Sequence, residues 1–109
     1  MTSRARIARL EEIGKLLLEV KLAELHRAAE ARRRSLEQLE ALAMRPAEDL
    51  DPVTAAQTEL RYQRWAEARR AEIDLLLARQ TVDWMKAQAA ARQAFGKTEA
   101  LRLLRNRLR

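Results

Sequence analysis

Cysteine is absent from the sequence, which excludes a disulfide scaffold, a thiolate zinc site and thiol redox chemistry. Glycine and proline occur only twice each, and β-branched residues are scarce. A β-sandwich or barrel needs many turns and many such residues, so neither is expected. The glycines, Gly14 and Gly96, stand near opposite ends of the chain and cannot form a phosphate-binding loop. His26 is the one histidine. Glu30 lies one helical turn further on, but an exposed surface side chain is the simpler reading than a metal ligand. No apolar run approaches the ~18 residues of a membrane span. The start Met1-Thr-Ser-Arg-Ala-Arg6 leads to Glu11 and Glu12 rather than to an apolar stretch, so no secretory signal and a cytoplasmic location are expected.

What remains is alanine, leucine and charge. Of 109 residues, 48% are hydrophobic and 35% charged, the composition of long helices or a coiled coil in one domain. The net charge of +6 is unevenly placed. Residues 1–52 balance acid and base, whereas 86–109 carry Lys86, Arg92, Lys97, Arg102, Arg105, Arg107 and Arg109 against Glu99. Residues 48–59 hold Glu48, Asp49, Asp51 and Glu59 and no base. A basic end suits either nucleic acid, through counterion release, or an acidic protein.

The two prolines organise the chain. Pro46 disfavours helical geometry at Arg45 and ends a first helix. Asp51-Pro52 starts a second, with Asp as cap and Pro at the first helical position. The reading is a first helix over about 3–44, capped by Thr2 or Ser3, a turn at 45–51, and a second helix over about 52–107. Apolar stripes of period near 3.6 run along both: Ile7, Leu10, Gly14, Leu18, Leu22 and Leu25 in the first, Tyr62, Ala66, Ile73, Leu77, Trp84 and Ala91 in the second. Neither stripe is stable in water alone, and a short connection makes neighbours antiparallel. The expected fold is all-α, one antiparallel two-helix coiled-coil hairpin filling residues 1–109.

Centring the turn near residue 49 sets a register. Leu25 is expected to face Ile73, Gly14 to make room for Trp84, and Arg32 to meet Glu67. Residues from Gly96 onward then extend past the first helix as a C-terminal helical overhang, in which Leu101, Leu104 and Leu108 alternate with Arg102, Arg105, Arg107 and Arg109. A leucine face without an internal partner implies an external one. The expected partner-binding residues are therefore Leu101, Arg102, Leu104, Arg105, Leu108 and Arg109.

Catalytic machinery is not visible. Glu11-Glu12 and Asp49–Asp51 read as helix-terminus charges, and Arg32-Arg33-Arg34, flanked by Glu30 and Glu37, reads as a solvated face with ion pairs one turn apart. A two-helix hairpin offers no concave pocket. A non-enzyme without cofactor or metal is expected.

Leu60-Arg-Tyr62-Gln-Arg-Trp65, followed by Ile73, Trp84 and Phe95 in a helix closing on Arg and Leu, resembles the FliJ/YscO family. These are small stalk proteins of the type III export apparatus of flagella and injectisomes. The resemblance covers about residues 55–105. It implies a helical hairpin seated in the export ATPase ring, touching the export gate and chaperones, with Tyr62 and Trp65 in the gate-contacting region. Arg69 departs from the apolar residue usual there. Beside this stand two other readings: a scaffold that forms homo-oligomers through its C-terminal leucines, and a nucleic-acid-binding protein whose Arg-rich end tracks phosphate.

Overall fold

The structure, a computed structural model, describes residues 2–43 and 51–108. It is all-α: helix α1 spans Ser3–Ala43 and helix α2 spans Pro52–Arg107, forming an antiparallel hairpin. The helix starts follow from local chemistry. Thr2 Oγ1 accepts the Ala5 N–H at 3.1 Å, so Thr2 rather than Ser3 is the cap of α1. Asp51 caps α2: its carboxylate accepts the Thr54 N–H at 2.8 Å and the Thr54 hydroxyl at 2.7 Å, and Pro52 follows where no donor is needed. The expected end of the first helix at Met44 and the turn over 45–50 lie outside the described residues.

The hairpin divides into two compact units. In the unit Ala31–Thr81, Leu42, Ala66 and Ile73 form the buried cluster, with Leu39 and Tyr62 packed against it. Polar contacts cross between the helices there. Buried Ser35 donates its hydroxyl to Gln80 Oε1 at 2.6 Å, and Arg32 Nε donates to Thr81 Oγ1 at 3.2 Å. The Thr81 hydroxyl in turn donates to the Leu77 carbonyl at 2.8 Å. In the unit Met1–Glu30 with Val82–Arg109, the buried residues are Glu11, Ala91, Ala94 and Thr98. Small side chains on α2 let the two backbones approach, and Gly14 on α1 does the same from the other side.

The expected register is wrong. Gly14 faces Thr98 and Leu101, not Trp84; Arg32 bonds Thr81, not Glu67; Ile73 clusters with Leu42 and Leu39, not Leu25. Gly14 and Arg32 each meet residues fourteen positions further along α2 than expected (98 against 84, 81 against 67). That offset is about four helical turns, so the same faces meet in a different alignment. It also removes the C-terminal overhang, because Thr98, Leu101 and Arg105 lie on α1. The uncovered length sits instead at the start of α2, where only Ala55 and Glu59 among residues 52–61 are even half-buried.

Candidate partner-binding surface

Two of the expected partner-binding residues prove to be internal. Leu101 is half-buried, and its Cδ1 lies 3.8 Å from where a Cβ on Gly14 would stand. Arg105 forms an ion pair with Glu11 at 2.8 Å. Glu11 is buried and also holds Lys15 at 3.6 Å, while Arg105 Nε is buried without a hydrogen-bond partner. Glu11 is thus a tertiary anchor rather than a helix-terminus charge. Its carboxylate fixes the Arg105 guanidinium against α1.

Others stay on the surface. Arg102 is exposed and pairs with Glu99 on its own helix at 3.1 Å. Leu104 and Leu108 are exposed; Arg109 lies outside the described residues. Tyr62 and Trp65, in the other unit, come together with ring centroids 5.8 Å apart and planes tilted by 46°. The Tyr62 hydroxyl donates to the Leu42 carbonyl at 2.7 Å, which roots one ring in the hairpin. Trp65 is 57% exposed, a large apolar side chain standing beside that fixed ring.

A larger apolar surface escaped the sequence reading. Leu10, Ile13, Leu16, Leu17 and Val20 on α1 are all exposed, as are Leu75, Leu76, Met85 and Leu103 on α2. Leu10 and Leu22, assigned to the inner stripe, are exposed, whereas Glu11 is inside. The missed signal was the run Leu16-Leu17-Leu18. Successive helical residues turn by ~100°, so three leucines in a row cannot all face one neighbour. The chain's accessible surface is 8566 Å², against about 6200 Å² for a folded globular protein of its mass. Two helices cover only the stripes they turn toward each other.

Recesses are shallow and open. One of about 450 Å³ is lined by Leu42, Tyr62, Ala66, Glu67 and Arg70, and a smaller one by Leu18, Leu22, Leu25, Ala91 and Phe95. Neither gathers an acid, a base and a nucleophile. Among the described residues no group of three or more His, Asp or Glu side chains is placed to hold a metal. No helix among them is long and apolar enough to cross a membrane. Comparison of the chain with family models, curated proteins and solved structures finds no match.

Proposed function

We propose that this chain is a non-catalytic helical adaptor that works by docking its uncovered apolar faces on other proteins. The observation that carries this reading is the exposure of Trp65 beside the anchored Tyr62 ring, together with the aliphatic outer faces of both helices. A solvent-exposed indole on a rigid element is the kind of side chain that contributes most where protein surfaces meet. Its concrete form, resting on the likeness at Leu60–Trp65, is a cytoplasmic FliJ/YscO-like stalk that binds the export ATPase of a type III or flagellar system, with the export gate and chaperones as further partners.

Binding of purified chain to a type III export ATPase tests this directly. Retention that is lost in Trp65→Ala or in Leu104→Asp supports the adaptor reading. Retention on double-stranded DNA instead, falling steeply with salt, would favour a nucleic-acid-binding protein. The pairing of Arg102 with Glu99 and of Arg105 with Glu11 weighs against that outcome, since those guanidinium groups already have carboxylate partners.

A further inference from the structure

The outer face of α1 carries a second pattern, distinct from the inner stripe. Arg6, Leu10, Ile13, Leu17, Val20 and Glu24 follow one another at spacings of four, three, four, three and four. This alternation is a heptad seam of period 3.5, the spacing that keeps one helix against another in a coiled coil. All four aliphatic members are roughly half exposed, from 45% at Leu17 to 56% at Ile13. Arg6 is exposed and pairs with no carboxylate among the described residues. Among the described residues Glu24 pairs only with Lys21 of its own helix, at 3.5 Å.

The seam is self-complementary when reversed. Laid antiparallel on itself about a two-fold axis near Lys15, it sets Leu10 against Val20, Ile13 against Leu17, and Arg6 against Glu24. Each match occurs twice by symmetry. Leu16, at 63% exposure, lies beside the axis and meets its own counterpart. Arg9 falls against Ala23 and Lys21 against Ile7, so no like charges are juxtaposed. A parallel pairing would set Arg6 on Arg6 and Glu24 on Glu24. The comparable outer stripe of α2, through Val82, Met85 and Leu103, is interrupted by Arg92 and Glu99.

We propose that a second copy of this chain docks antiparallel along the α1 face formed by Arg6, Leu10, Ile13, Leu17, Val20 and Glu24. The argument is charge complementarity combined with two-fold symmetry: an interface between identical chains requires a patch that matches itself, and this one does so in a single orientation. The proposal is independent of the export reading, since it concerns the chain's own partner copy.

The test uses the full chain. Sedimentation across a concentration series is expected to show a dimer. Arg6→Glu and Glu24→Arg each place like charges together and are expected to weaken it by roughly tenfold or more, with the double reversal restoring it. Circular dichroism follows the fold in every variant. Because the chain has no cysteine, orientation is read separately: Leu16→Cys is expected to cross-link to itself. Leu10→Cys is expected to cross-link only when mixed with Val20→Cys. A chain that stays monomeric to about 100 µM overturns the proposal. So does efficient self-linking of Leu10→Cys, or a double charge reversal as weak as the single ones.

Discussion

Glu11 and Arg105 meet at 2.8 Å, tying the first turns of α1 to the last turn of α2 through a carboxylate that is almost wholly buried. Removing one partner of such a pair leaves the other charge in a poorly solvated site, which costs about 3–5 kcal/mol when both are fully buried. Arg105 is one-third exposed and Lys15 remains near Glu11, so Arg105→Ala is expected to cost less, about 2 kcal/mol. Replacing both residues by leucine is expected to recover most of the loss. Urea unfolding of the two single variants and the double variant checks this. Strictly additive effects would show that the pair does not act as a unit.

The same contacts decide what a truncation does. An overhang could be removed silently, but residues 97–109 include Thr98, Leu101 and Arg105, all packed on α1. Deleting them is expected to lower the melting temperature by about 10 °C or more. An unchanged melt would restore the overhang reading.

Gly14 has a steric reason for its place. A Cβ there would stand 3.1 Å from Thr98 Oγ1, whose hydroxyl is held by the Ala94 carbonyl at 3.0 Å. In Gly14→Ala the gain of about 1 kcal/mol in helix propensity is expected to be offset by this crowding, leaving stability nearly unchanged. Gly14→Leu overpacks the same site and is expected to destabilise by ~1–3 kcal/mol. Adding Thr98→Ala to Gly14→Ala removes the crowding oxygen, and thermal melts are expected to show the alanine at 14 stabilising in that background.

Asp51 gives the hairpin one pH-sensitive end. The Thr54 backbone N–H, then the Thr54 hydroxyl, hold its carboxyl below the ordinary value of 3.8. A depressed folded-state pKa stabilises fully above the unfolded value and is lost as pH falls through the folded one. The first turn of α2 is therefore expected to fray below about pH 4, read as faster amide exchange at Thr54. Asp51→Ala is expected to show that exchange at neutral pH.

Tyr62 and Trp65 separate stability from binding. Tyr62→Phe loses the hydrogen bond to the Leu42 carbonyl and is expected to cost ~1 kcal/mol. Trp65→Ala removes a mostly exposed ring and is expected to leave the melt within about 0.5 kcal/mol while abolishing partner retention. Equal stability losses in both would place Trp65 in the hairpin's own packing.

The helix starts were legible because they depend on single residues with strong local preferences. Thr2, Asp51 and Pro52 each act through their own backbone, whatever the rest of the chain does. The register was not legible because fourteen residues are close to four helical turns, so an offset of that size leaves nearly the same faces in contact. Sliding α2 by four turns keeps its contact face turned toward α1. Only polar side chains distinguish the alignments, and Glu11 with Arg105, like Ser35 with Gln80, are far apart in sequence and carry no local mark. The outer seam was missed for a related cause. A period of 3.5 laid over one of 3.6 looks like a single broad stripe until the structure shows which leucines are covered. Of the candidate site, Trp65, Arg102, Leu104 and Leu108 are exposed, while Tyr62, Leu101 and Arg105 are half-buried in contacts within the hairpin.

The hydrogen bond between Ser35 and Gln80 has a consequence for how such a chain finds its fold. Faces made of alanine and leucine present a ladder of alignments separated by shallow differences, and a hairpin held by them alone would populate several. A slip of one turn pulls the Ser35 hydroxyl from its acceptor and strands a buried polar group, at about 1–3 kcal/mol. The neighbouring Arg32 loses Thr81 in the same movement. Misaligned chains are thereby held to a minor population, and two modest side chains give a repetitive sequence the discrimination of a key in a lock cut with one tooth.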